Sequence, residues 1–71
     1  MKTLDKSGTG LKLKNARKDA HMTVKKVSQR MGVSLETVYH WEVGRAIPSL
    51  ASMVKLSYLY KTPIDALVER M

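Results

Sequence analysis

Residues able to move protons or hold metals are few and scattered in this sequence. The two histidines, His21 and His40, fall in different predicted helices, and neither has a carboxylate at a metal-ligand spacing. There is no cysteine, which excludes a disulfide framework and a thiolate metal site. Serines, histidines and aspartates occur with neither a nucleophile elbow nor a glycine-rich phosphate loop around them. The pair Gly8-x-Gly10 has no third glycine and no preceding strand, so it reads as linker rather than as a phosphate cradle. No catalytic residue, metal or cofactor is expected. The chemistry the chain does offer is cationic. Lys25 and Lys26 follow Thr23, a helix-capping residue, and so lie in the first turn of a helix. Ammonium groups are unfavourable beside the positive end of a helix dipole. They make sense there if a phosphate joins the free amides and the two lysines; otherwise they are two solvated side chains.

The whole charge is arranged in the same sense. The sequence holds 13 Lys and Arg against 6 Asp and Glu, a formal net charge of +7. The excess sits in residues 1–30, with nine basic and two acidic side chains, whereas residues 31–71 carry four of each. Such asymmetry suits a polyanionic partner, nucleic acid before an anionic membrane, or else serves only solubility. A domain of 71 residues has little room for both a thick core and a large enclosed cavity, which disfavours most enzyme folds and dinucleotide-binding sheets. The composition, 44% hydrophobic and 27% charged, is that of a soluble domain. No apolar run reaches the roughly 18 residues of a membrane span. Met1-Lys2-Thr3-Leu4-Asp5-Lys6 has a basic start without an apolar segment, so a secretory signal is not expected and a cytoplasmic location is.

The apolar spacing dictates five short helices. Residues 1–9, with the breaker cluster Ser7-Gly8-Thr9-Gly10 at their end, are expected to form a flexible basic arm, and residues 10–71 the folded domain. Leu13, Ala16 and Ala20 mark a first helix. Thr23 caps a second with Val24, Val27 and Met31 inside, and Gly32 stops it. Ser34 caps a third carrying Leu35, Val38 and Trp41, closed by Gly44. Ser49 caps a fourth with Leu50, Met53, Leu56, Ser57 and Tyr60. Thr62 and Pro63 read as cap and first residue of a fifth, with Ile64, Leu67 and Val68 on its apolar face. The fold class is therefore all-α and compact. The connection Gly32-Val33-Ser34 is short enough to hold two helices roughly perpendicular, with Val33 plugging the angle between them.

Read with its flanks, the segment from Thr23 to Gly44, with Gly32-Val33-Ser34 at the turn and Trp41-Glu42-x-Gly44 at its end, resembles the lambda-repressor-like family, also called the Cro/XRE type. Leu13-x-x-Ala16-Arg17 upstream, and Pro48-Ser49-Leu50, Leu56 and Ile64-Asp65-Ala66-Leu67 downstream, extend the resemblance over roughly residues 10–68. Departures are specific. Val24 stands where glutamine is frequent, Ser28 and Ser57 where alanine is usual, His21 for a glycine and Val43 for an asparagine that contacts phosphate.

The resemblance implies a helix-turn-helix whose third helix enters the major groove of double-stranded DNA while the second crosses the backbone. The base-reading residues would be Leu35, Glu36, Tyr39 and His40. Leu35 packs on a thymine methyl or belongs to the core. Glu36 accepts from a cytosine amino group or only favours the helix dipole. His40 donates to a purine edge or is plain surface, and Tyr39 serves base or phosphate. Thr23, Lys25, Lys26, Thr37 and Arg45 would hold phosphates, with Lys2 and Lys6 following a groove from the arm. An ion pair between Arg17 and Glu42 is implied as a structural tie. The function implied is a sequence-specific, prokaryotic or phage transcriptional regulator, a repressor working as a homodimer on a palindromic operator. Tyr58, Tyr60, Ile64, Val68 and Met71 are the expected dimer surface. The alternative is a protein-interaction module such as the antitoxin of a toxin–antitoxin pair. Neither a membrane nor a small-molecule ligand is expected as partner.

Overall fold

Hydroxyl side chains set where three of the helices begin. The computed structural model describes residues 3–71, and Lys2 of the expected arm lies outside them. The described residues form α1 (Lys6–Asp19), α2 (Val24–Met31), α3 (Leu35–Glu42), α4 (Leu50–Tyr60) and α5 (Ile64–Leu67). Thr23 Oγ1 accepts from the Lys26 amide at 3.0 Å, Ser34 Oγ from the Thr37 amide at 3.1 Å and Ser49 Oγ from the Ser52 amide at 3.2 Å. Each satisfies a donor that has no partner within its helix, an effect of about 1 kcal/mol. Gly32 ends α2 at φ 69°, a left-handed conformation that costs other residues about 1–2 kcal/mol. No helix among the described residues is long and apolar enough to cross a membrane.

The fifth helix starts differently from its sequence expectation. Its cap position is Pro63, and Thr62 makes no cap bond. Thr62 is engaged in closing α4 instead. Its amide donates to the Ser57 carbonyl at 3.0 Å, and Ser57 Oγ donates to the Thr62 carbonyl at 2.7 Å. Ser28 Oγ likewise donates to the Lys25 carbonyl at 2.8 Å. Both serines therefore carry their hydroxyls inward without an unsatisfied polar group.

The core gathers one side of every helix: Leu13 and Ala16 from α1, Val24, Val27 and Met31 from α2, Val38 and Trp41 from α3, Met53, Leu56 and Tyr60 from α4, and Leu67 from α5. Val33, in the turn, packs against them. Burying a leucine such as Leu56 contributes about 1.5–3 kcal/mol. Leu35 and Leu50, read as members of the apolar rows, stand 45% and 76% exposed because each lies at the first turn of its helix, outside the packed centre. Tyr60, expected on a dimer surface, is a core residue. Burial pushes its phenol pKa well above the usual value, and the Glu42 carboxylate pushes it further. Ile64 and Val68 are half-buried, which leaves Tyr58 and Met71 exposed from that group.

The flexible-arm expectation is corrected for the described residues. Helix α1 begins at Lys6, so Ser7-Gly8-Thr9-Gly10 are helical. The physical reason is tertiary. Thr9 is fully buried, and its hydroxyl accepts from the Glu69 amide at 3.0 Å. The Asp5 amide donates to the Glu69 carbonyl at 2.7 Å, and Leu4 pairs with Arg70 in an isolated antiparallel bridge. Gly10 sits so close to the end of α3 that a Cβ would lie 2.5 Å from the Glu42 carbonyl oxygen and 2.6 Å from that of Trp41. These glycines read as breakers locally; at Gly10 the missing side chain is what lets two helices touch.

Arg17 ties the same junction together. Its Nε donates to Glu42 Oε2 at 2.7 Å, a second nitrogen to Oε1 at 3.1 Å and a third to the Met22 carbonyl at 2.9 Å. The two side chains are only 12% and 5% exposed, so the implied ion pair exists, and it is bidentate and largely dry. Hydrogen bonding to Glu42 raises the Arg17 pKa, which keeps the guanidinium charged at every accessible pH.

Two stability tests follow from this packing. Arg17→Ala and Glu42→Ala should each lower the unfolding free energy by about 3 kcal/mol in urea titrations, because each strands a buried charge. The double variant should lose less than the sum of the two. Gly10→Ala should cost at least about 2 kcal/mol by overpacking. Gly32→Ala, whose Cβ meets nothing within 4 Å, should cost only about 1–2 kcal/mol from its backbone conformation.

Candidate nucleic-acid interface

The outer face of α3 is built by subtraction. Val38 and Trp41 take the inward positions, and the 3.6-residue turn leaves Leu35, Glu36, Tyr39 and His40 pointing away from the core. All four are exposed, Leu35 at 45% and Tyr39 at 52%. They combine one aliphatic side chain, one acceptor, one hydroxyl and one imidazole. That set can make both apolar contacts and directed hydrogen bonds to the edges of bases. Val43, just past the helix, is 62% exposed and continues the row of Leu35 and Tyr39.

Beside this face lies the start of α2. Its first turn carries no acidic residue, and Lys25 and Lys26 are both exposed. Among the described residues neither lysine, nor Arg45, has a carboxylate within ion-pair distance. The positive end of the helix dipole and two ammonium groups therefore share one corner, an arrangement that favours an anion. Thr23 Oγ1 accepts from the helix, which leaves its proton free to donate outward. Thr37 is half-buried, and its hydroxyl is bonded to Ser34 Oγ at 2.9 Å, so it serves the α3 cap first. Arg45 is exposed beyond α3, where its amide closes the helix on the His40 carbonyl at 2.9 Å. Lys6 is exposed at the start of α1 and is held there by the helix, not carried on an arm.

The end of α1, the start of α2 and the outer side of α3 enclose an open groove of about 650 Å³. It is lined by Thr23, Val24 and Lys25 from α2 and its cap, by Leu35, Tyr39, Glu42 and Val43 from α3 and its end, and by Lys14, Arg17 and Met22 from α1 and the connection after it. The groove unites residues of both expected classes, those for phosphates and those for bases. It also brings in Lys14, which the sequence reading passed over. The available signal was spacing, since Lys14 precedes Arg17 by one helical turn and so shares its face. Glu42 would repel an anion here, but its carboxylate is neutralised by Arg17. Val24, the departure at the first position of α2, belongs to the core and to the groove wall at once. His21, the other departure, holds φ 57° between α1 and α2, a conformation that glycine adopts without cost.

Comparison with known proteins adds to this geometry. The chain matches the helix-turn-helix family HTH_3 over residues 13–67. Among solved structures it is similar to the restriction-modification controller protein C.AhdI from Aeromonas hydrophila, with a TM-score of 0.80 at 21% identity, covering 89% of this chain and 96% of that one. That likeness is one of fold. An HTH_3 family transcriptional regulator from Vibrio cholerae superimposes with a TM-score of 0.76 at 27% identity, over 89% of this chain and 35% of that chain. The cobalt(II) form of HppE in complex with its substrate does so with a TM-score of 0.82 at 26% identity, over 90% of this chain and 36% of that chain. The chain thus spans about a third of the length of the last two. A comparison with curated proteins finds no match. With five helices in this order among the described residues, a capped turn at Gly32-Val33-Ser34 and a family match across most of its length, the chain belongs to the Cro/C1-type helix-turn-helix family.

Proposed function

We propose that this protein is a sequence-specific regulator of transcription that binds double-stranded DNA, a cytoplasmic repressor of the Cro kind. The observation that carries the reading is the exposed face of α3 set beside the unpaired ammonium groups of Lys25 and Lys26 at the start of α2. In the docking common to this architecture, α3 lies in the major groove and α2 crosses the backbone. Leu35, Glu36 and His40 then read base edges, Leu35 against a thymine methyl, Glu36 from a cytosine amino group and His40 towards a purine, and Tyr39 serves base or phosphate. Lys25, Lys26, Thr23 and Arg45 hold phosphates and set the register. Thr37 contributes through the α3 cap.

One such module makes few base contacts, so the working unit is a homodimer on a palindromic operator. Its half-sites lie about one helical turn, roughly 34 Å, apart. The two-fold axis needs an apolar surface of its own. Of the residues first read as that surface, Tyr58 and Met71 remain available, at 80% and 70% exposed.

Selection from a random duplex pool tests the whole reading, with a two-fold-symmetric consensus as the expected result. Enrichment of no consensus, or equal affinity for selected and random duplex at every salt concentration, defeats it. Against the selected site, Lys25→Ala/Lys26→Ala should weaken all duplexes alike and lower the slope of log affinity against log salt by about two. Glu36→Ala should instead relax preference at one base pair, a loss of about 1–3 kcal/mol of discrimination measured by competition binding. A uniform loss on all sequences would remove Glu36 from the readers.

A further inference from the structure

Helix α4 is apolar on two sides. One side belongs to the core through Met53, Leu56 and Tyr60. The other carries Leu50, Val54 and Tyr58, all exposed and spaced i, i+4 and i+8, so that they form one row about 12 Å long. At Tyr58 the row meets a groove of about 340 Å³ between the end of α2 and α4, lined by Arg30, Met31, Lys55, Tyr58 and Leu59. Met31 is buried and Leu59 half-buried, whereas Arg30 and Lys55 are exposed. Neither α2 nor α4 contains an acidic residue. Among the described residues neither Arg30 nor Lys55 has a carboxylate within ion-pair distance.

An apolar row beside two uncompensated cations selects among occupants. Duplex DNA would offer phosphates to Arg30 and Lys55 but would leave Leu50 and Val54 against charge, with no apolar surface to cover them. A second copy laid over the groove by a two-fold axis would bring the patch against itself. The patch holds no carboxylate, so cation would meet cation. A helix with an apolar side flanked by carboxylates satisfies both features at once. We infer that this face of α4 is a docking surface for an acidic amphipathic helix of a different protein. The apolar side of that helix lies along Leu50, Val54 and Tyr58, and its carboxylates pair with Arg30 and Lys55. No residue of α3 lines the groove, and Arg30 lies at the opposite end of α2 from Lys25, so the inference does not rest on the DNA-binding reading. Tyr58 is also available to the two-fold contact proposed above, so such a partner and a second copy compete for it.

The probe is a helical peptide of roughly 16 residues with leucines spaced i, i+4 and i+8 and glutamates beside them, set against the same peptide with lysines for the glutamates. Each is titrated into the chain at a concentration where sedimentation finds it monomeric, and backbone amide shifts are followed by NMR. The acidic peptide should bind, with shifts centred on Arg30, Met31, Val54, Lys55, Tyr58 and Leu59, and the lysine peptide should not. Arg30→Ser/Lys55→Ser should weaken the acidic peptide by about tenfold or more, and Tyr58→Ala by about fivefold or more. Thermal unfolding checks that each exposed substitution leaves the fold intact. Absence of binding, equal binding of the two peptides, or shifts centred on α3 or the start of α2 overturns the inference. Shifts at Arg30 and Lys55 on raising the protein concentration alone assign the groove to a second copy, and the same shifts on adding duplex assign it to DNA; either overturns it as well. Duplex selection is a separate measurement, so failure here leaves the DNA-binding reading standing.

Discussion

Arg17 makes three hydrogen bonds, two to the carboxylate of Glu42 at the end of α3 and one to the Met22 carbonyl in the connection to α2, and so ties both to its own helix. The orientation of α3 follows from this clamp. Gly10 permits the backbones of α1 and α3 to meet just beside it, so position and angle are set at one junction. A planar guanidinium suits this task because its donors diverge in a fixed fork, which a lysine ammonium lacks. The same pairing removes the one carboxylate that would oppose an anion in the neighbouring groove. A structural ion pair thus also sets the electrostatics of the candidate interface.

The two sides of α3 express opposite requirements. Val38 and Trp41 are spaced to fill the core, and the positions left over carry an acceptor, an imidazole, a phenol and an aliphatic side chain. A helix of eight residues anchored by two core residues and a cap is held mainly by its neighbours, since so short a helix has little stability alone. Rigidity of the outer face therefore derives from tertiary packing, and the proposed discrimination of single base pairs requires that rigidity.

The start of α1 and the last residues of the chain are tied to each other. Glu69 receives the Asp5 amide and donates its own amide to Thr9, and Lys12 reaches both the Val68 carbonyl and the Glu69 carboxylate, at 3.2 Å in each case. These bonds hold the start of α1 against the final residues and keep the N-terminal lysine-rich helix ordered where it faces solvent.

Helix number and order, and the caps of α2, α3 and α4, were legible in the sequence because they depend on local chemistry. Thr23, Ser34 and Ser49 are short hydroxyl residues before apolar repeats, and Gly32 meets a left-handed turn. The outer face of α3 was legible for the same reason, as the complement of Val38 and Trp41. What local rules misjudged were residues whose roles arise from distant partners. Gly8 and Gly10 carry a breaker's signal, yet they lie in a helix because Glu42 and Glu69 pack against them. Thr62 looked like a cap and was taken by Ser57. Tyr60 looked available and was buried beside Arg17 and Glu42. Lys14 had no distinguishing neighbour in sequence, and only the meeting of α1, α2 and α3 places it on the groove. Period and capping act over one or two turns and can be read along the chain, whereas close approach and shared grooves exist only once the helices have been brought together.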